Sequence, residues 1–328
     1  MTVFSVGMPN CKEGKSHPPG SVDASWMREI AVAADHLGFH ALWPNELLQI
    51  QAERAADGSY DIPMEPVRYF DPLITIAYVA ALTERIRFTT ATIILPHHHP
   101  ALLSRQVATL DHYTGGRLTL GVGLGGTAES FRRLRGDLGK VNRGAMMDEY
   151  LMALRSLWQQ PPTTMEGRYV RMQDAQAFPK PRQDPVPIYI AGAGEASLTR
   201  VARLGQGWID SHHLPHEIEQ IASDLGNERP AECGRVQIAR QFYVALGETR
   251  AAARDIYARV RGPLPTESAT DEQQRYVIGS SDDIIATLGP YIGVVDEICL
   301  IFYGDSAKSV IEQCERFAGQ VAPQLTGS

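Results

Sequence analysis

The stretch Arg117-Leu-Thr-Leu-Gly-Val-Gly-Leu-Gly-Gly126 decides between two folds. Gly121, Gly123 and Gly126 match the G-x-G-x-x-G spacing of a dinucleotide-binding turn, placed after a run that reads as a strand and before a helix. In a doubly wound fold that turn comes first in the chain. Here three strand–helix units precede it, and Asp148, the acidic residue roughly 20 positions on, falls inside a periodic helix. The same glycines serve equally well as a tight turn at the end of the fourth strand of a β/α barrel.

Reading outward supports the barrel. Toward the N-terminus lie Val3–Met8 as a strand, a helix from about Ser25 with Trp26, Ile30, Ala33 and Leu37 on one face, a short strand His40–Pro44, and a helix opened by Asp71-Pro72 that runs to about Glu84. Ile86–Leu95, dense in Ile and Thr, reads as one buried third strand, and Pro100 opens the next helix. Arg117–Gly123 is the fourth strand, followed by a helix from about Thr127 and a longer one holding Met147, Tyr150, Leu151, Leu154 and Trp158. Toward the C-terminus come strands Ile188–Ala191, Gly207–Ser211, Val236–Leu246 and Val295–Tyr303, with helices Ala196–Leu204, Pro215–Leu225, Arg250–Val260, one after the Ser280-x-x-Asp283 capping box, and Ser306–Val321. Eight strands alternating with helices predict a single (β/α)8 TIM barrel over 1–328. The surplus length falls in Gln49–Arg68 and in Pro161–Pro187, whose six prolines mark an inserted loop or hairpin.

Composition narrows the function. The 328 residues carry a net charge of −7 with 44% hydrophobic and 21% charged residues, a globular balance that lacks the basic surface nucleic acid requires. No window approaches the ~18 apolar residues of a membrane span, and the first residues lack the order of a signal peptide, so a cytoplasmic protein with no membrane partner is expected. Cys11, Cys233, Cys299 and Cys314 form no CxxC pair, which fits a reducing compartment and no structural zinc.

Candidate chemistry gathers on the loops after the strands, where barrel enzymes place their sites. Gly192-Ala193-Gly194 ends a strand and opens a helix, so its amides form either a phosphate seat or an ordinary turn. His97-His98-His99 and His212, His213, His216 suggest metal at first sight, but adjacent side chains diverge and no HExxH accompanies them. They are read as polar rim residues, with no metal expected, and His97 and His213 remain candidates for proton exchange. Glu46, just past the second strand, is the best-placed single carboxylate.

Several segments together resemble the bacterial luciferase-like family of flavin- and deazaflavin-dependent oxidoreductases. They are Asp71-Pro-Leu through Leu82-Thr-Glu-Arg-Ile-Arg87, Ile94-Leu-Pro through His99-Pro100, Leu110-Asp through Gly116-Arg-Leu-Thr-Leu-Gly-Val-Gly123, Asp148-Glu149 through Leu157-Trp158, Pro179-Lys-Pro181, and Pro187-Ile-Tyr-Ile-Ala-Gly-Ala-Gly194 through Gly207-Trp208. The resemblance implies a TIM barrel binding FMN or coenzyme F420 at its C-terminal mouth. It also implies that Gly192, Ala193 and Gly194, with Ser211 nearby, approach the phosphate, that Gly123 and Leu124 lie at the cofactor, and that a non-proline cis bond stands near Thr92–Ile93 behind the ring. Family members commonly follow the acid after strand two with a histidine, where this chain has Glu46-Leu47. The phosphate arginine after strand four is replaced by Leu124, and the lysine of deazaflavin members after strand six by Leu214, which leaves the phosphate anchor unassigned.

Three functions follow. The first is a monooxygenase that uses reduced FMN from a separate reductase, with O2, on a small organic substrate. The second is F420-dependent hydride transfer, with Glu46, His97 or His213 exchanging the proton. The third is a non-catalytic flavin-binding protein. Family habit implies a homodimer.

Overall fold

Eight parallel strands close on themselves in the computed structural model, which describes residues 1–48, 53–54, 60–61, 67–138, 140–159, 161–263 and 276–327. The strands are β1 (Val3–Gly7), β2 (Ala41–Trp43), β3 (Arg87–Thr89, resuming at Ile93–Ile94), β4 (Leu118–Gly123), β5 (Ile188–Ala191), β6 (Gly207–Asp210), β7 (Gln237–Leu246) and β8 (Glu297–Phe302). Each pairs in parallel with its sequence neighbours, and β1 with β8 closes the ring. The predicted (β/α)8 TIM barrel is the fold.

Alternation along the strands builds two cores. Outward-facing Val6, Leu42, Phe88, Leu120, Ile190 and Trp208 pack against the helices. Inward-facing Ala41, Trp43, Ile209, Ala239, Cys299 and Ile301 fill the barrel. Near its floor the buried Glu297 carboxylate accepts the Ser5 hydroxyl at 2.5 Å and the Trp43 indole N–H at 2.7 Å. Burial pushes the Glu297 carboxyl up despite those two donors.

Three departures from the sequence reading have physical causes. The third strand is interrupted at 90–92, because the Thr90 hydroxyl both accepts from the Gly121 amide and donates to the Gly121 carbonyl, each at 2.8 Å. This side chain takes over ladder bonds that a regular strand would make with its backbone. A Cβ on Gly121 would stand 1.7 Å from the Thr90 carbonyl oxygen. Gly121 thus serves close approach to β3, and the dinucleotide reading of the glycines fails on packing as well as on order. Second, Tyr276–Gly279 forms a further strand, pairing in parallel with the outer half of β7. Four residues are too few to show a period.

Third, the 161–187 insertion contains an antiparallel hairpin, Thr163–Glu166 with Arg171–Ala175. The Glu149 carboxylate accepts the amides of Arg168, Tyr169 and Val170 and holds the hairpin turn against the helix Arg143–Trp158. Of the 49–68 insertion, 53–54 and 60–61 form a short antiparallel pair, and residues 49–52, 55–59 and 62–66 lie outside the described residues. Among the described residues no helix is long and apolar enough to cross a membrane.

Candidate active site

The chain ends of β2, β3 and β4 meet at the C-terminal mouth, and their meeting point is Glu46. Its amide donates to the Thr92 carbonyl, while its carboxylate accepts the Ile94 amide at 2.6 Å. His98 Nε2 lies 2.9 and 3.1 Å from the two carboxylate oxygens. The side chain of Glu46 is only 6% exposed and that of His98 19%, so the pair is largely removed from water. A histidine thus stands beside the Glu46 carboxylate although none follows it in sequence, and it comes from the loop after β3.

The three adjacent histidines diverge as their backbone directions require. His97 packs its ring 4.9 Å from Phe131 and lines a cavity of about 170 Å³ with Leu47, Ile94, Leu124 and Ser130. Burial holds the His97 imidazole below its usual range, outweighing the raising effect of Glu46. His99 instead caps the helix Pro100–Tyr113, accepting the Ala101 amide. Among the described residues no three His, Cys, Asp or Glu side chains converge to hold a metal ion.

The same cavity reaches Arg143. This arginine comes from the first turn of the helix Arg143–Trp158 and donates to the carbonyls of Leu124, at 3.1 Å, and Gly126, at 2.7 Å. A guanidinium thus stands over the loop after β4 even though that loop carries Leu124. Sequence reasoning passed over it, yet a signal existed: a cation at a helix N-terminus opposes the macrodipole and calls for another reason to be there.

Other anticipated residues are distributed as follows. Thr92 is half-buried at the mouth, and its hydroxyl would lie 2.7 Å from a Cβ on Gly123, so Gly123 fits because it has none. Ile93 is fully buried in the outer core. The non-proline cis bond joins Ala91 to Thr92, one residue before the anticipated Thr92–Ile93. Gly192 adopts φ +132°, where a Cβ would strike the Ser197 hydroxyl at 2.4 Å. Ala193 and Gly194 are exposed; Gly194 precedes the helix Glu195–Leu204, and nothing stands within 4 Å of where its Cβ would be. No side chain crowds the start of that helix at Gly194, a helix end that fits a phosphate. Ser211 is half-buried at the end of β6, its hydroxyl 2.8 Å from His212 Nδ1.

His213 lies elsewhere. Its Nδ1 is 2.7 Å from Asp210 Oδ1 and its ring packs on Trp208, in the layer between β6 and the helices. Asp210 also accepts the amides of His212 and His213 and pairs at 2.5 Å with the fully buried Arg240. Burial alone would raise the Asp210 carboxyl, but Arg240, His213 and the amides hold it below its usual range. His213 is thus turned away from the Glu46–His98 pair.

An uncharacterized protein of Mycobacterium bovis is 33% identical over 182 residues, which cover 54% of this chain and 64% of that protein's length. The FMNH2-dependent dimethylsulfone monooxygenase of Pseudomonas putida is 25% identical over 264 residues, covering 78% of this chain and 69% of that enzyme. The F420-dependent hydroxymycolic acid dehydrogenase of Mycobacterium tuberculosis is 23% identical, covering 82% and 74%. Among solved structures, the monooxygenase RslO1 of Streptomyces bottropensis superposes with a TM-score of 0.78 over 99% of both chains at 21% identity, which shows a shared fold. The family model for luciferase-like monooxygenases matches residues 3–291, and the chain belongs to that family.

Proposed function

We propose that the chain is a flavin-dependent monooxygenase that takes reduced FMN from a separate reductase and uses O2 to oxidise a small organic substrate. The observation that carries this reading is the Glu46–His98 pair, held by the Ile94 amide beside a cavity at the barrel mouth. Bound FMN would supply the reducing electrons for oxygen. The protein's share is to orient the cofactor, exclude water and manage a proton. The open helix end after Gly194 and the Arg143 guanidinium over Leu124 and Gly126 would take the cofactor's anionic groups. Glu46 fixes the His98 ring by accepting Nε2–H, which leaves Nδ1 as the nitrogen that would give up or take a proton.

A second reading, F420-dependent hydride transfer, draws on the same pair, since hydride transfer to or from an oxygen-bearing carbon needs a proton partner at the site. Anaerobic titration with reduced FMN and with reduced F420, followed by admission of oxygen, separates them. The monooxygenase reading expects reduced FMN to bind and an oxygen-dependent absorbance transient to decay faster when substrate is present. Exclusive F420 binding overturns it, and FMN binding without turnover on any substrate indicates a flavin carrier.

The assembly we propose is a homodimer. Ile74 and Tyr78 lie one turn apart on the helix Pro72–Ala80 and are exposed, as is Leu102 on the neighbouring helix Pro100–Tyr113. Covering such a face removes apolar surface from water. Light scattering on the purified protein checks it, with a monomeric mass as the contrary result.

A further inference from the structure

The opposite side of the mouth, between β1 and the ends of β7 and β8, contains an ammonium with no counter-charge among the described residues. Lys12 follows the turn Pro9–Cys11 and is only 6% exposed. Its backbone is fixed, because its carbonyl accepts the amides of Lys15, Ser16 and His17. The same loop is tied to the chain beyond β8 by His17 Nδ1 and Ser16 on Gly304. The Lys12 Nζ lies 5.6 Å from the centre of the Tyr243 ring, which faces into the barrel. Tyr276 and Tyr303 pack on Tyr243 at 5.5 and 6.1 Å.

Among the described residues no hydrogen bond or ion pair reaches that ammonium. Glu13, the acid next to it in sequence, commits its carboxylate to the amides of Gly20, Val22 and Arg68. Glu46 is committed to His98 and Ile94. Burial also keeps the neighbouring Cys11, Cys299, Tyr303 and His17 neutral near pH 7, raising the Cys11 thiol to about 12, raising the Cys299 thiol and the Tyr303 phenol, and lowering the His17 imidazole to about 4. A lysine is rarely buried without a partner, and an aromatic face satisfies only part of its charge.

We propose that Lys12 is a specificity residue that receives the carboxylate of an organic acid substrate, with the Tyr243 ring packed against the body of the acid. The inference rests on the monooxygenase reading for the reaction, and its geometry stands apart from the cavity beside Glu46. The substrate class is thus an organic acid whose carboxylate meets Lys12 and whose flat body lies on the Tyr243 ring.

Calorimetric titration of the intact chain with sodium benzoate and with benzamide, at equal ionic strength, tests this. A charge-assisted hydrogen bond in a partly dry site predicts benzoate binding at least about tenfold tighter than benzamide. Lys12→Met is expected to abolish the preference with circular dichroism unchanged, and Lys12→Arg to keep it. Absence of a preference in the unaltered protein, or its survival in Lys12→Met, overturns the proposal. Should Lys12→Met not fold, Lys12→Gln applies the same criterion. Reduced FMN and F420 are titrated into the same samples. A loss of flavin affinity in Lys12→Met matching the loss of benzoate binding would assign the ammonium to the cofactor and also overturn it. Failure of the unaltered protein to bind either cofactor refutes the functional reading and leaves the benzoate comparison intact.

Discussion

Arg240→Met should be among the most destabilising single changes in the chain. The Arg240 and Asp210 side chains are 0% and 1% exposed and 2.5 Å apart. Removing one partner of such a pair strands the other as a buried charge, at a cost of ~3–5 kcal/mol. Asp210 would keep His213 Nδ1 and the amides of His212 and His213, so the lower figure applies. Unfolding entropy of ~2.1 cal/mol/K per residue gives ~1.5 °C per kcal/mol for 328 residues, so the melting temperature should fall by about 4 °C or more in calorimetry. Adding Asp210→Asn removes the stranded charge and should recover part of that loss. Acidification gives the sign. With Arg240 gone, burial is left to raise the Asp210 carboxyl, so it protonates at a higher pH and the penalty eases as pH falls from 7 toward 4. In the unaltered protein the depressed carboxyl keeps its contribution until pH drops below the ordinary value of about 3.9. A fall of under about 2 °C, or a double variant less stable than Arg240→Met, would refute the account.

Two further outcomes follow from the site and the surface. Glu46→Gln and His98→Gln should each lower turnover by about 10²–10⁴-fold, with near-unchanged melting temperatures and cofactor affinity, in steady-state assays on the substrate found. Equal losses in both are expected if the two act as one unit, and unaltered turnover in either would remove the pair from the chemistry. Asp283 is held well below the usual carboxylate range, chiefly by Arg250 and then by the Ser280 amide and hydroxyl. Its contribution is present above the unfolded value and lost as pH falls through the folded one, so Asp283→Asn should flatten the acid limb of the stability profile below about pH 4. An unchanged acid limb is the contrary result.

Much of this fold is legible in the sequence because a parallel barrel buries its strands on both faces. Ile188–Ala191 is nearly all apolar, bounded by Pro187 and Gly192, and its limits are those observed. Caps read equally well: Asp71 before Pro72 and the Ser280–Asp283 box mark helix starts and are seen making their bonds. The break in β3 was not legible. It arises when a threonine hydroxyl displaces a backbone bond to Gly121, and a run of Ile and Thr contains nothing local that distinguishes this from a regular strand. The strand Tyr276–Gly279 was missed for a related reason, since its edge depends on β7 being long enough to extend past the barrel rim.

The site divides along the same line. Glu46 could be picked out because a carboxylate just past a barrel strand is conspicuous, whereas its partner sits 52 positions away and is joined to it only by the register of β2 against β3. Reading Leu47 as the loss of a base treats adjacency in sequence as adjacency in space. Once β3 breaks at Thr90 and turns its end toward β2, the Ile94 amide and His98 both face Glu46, so the irregular stretch that defeated the strand assignment also brings a histidine to that carboxylate. The same argument separates His213 from its neighbours on the mouth. Side chains alternate along β6, Ile209 faces inward, and Asp210 must therefore face the helices and draw His213 with it. Strand parity thus carries His213 away from the mouth, while the loop after β3 brings His98 to Glu46.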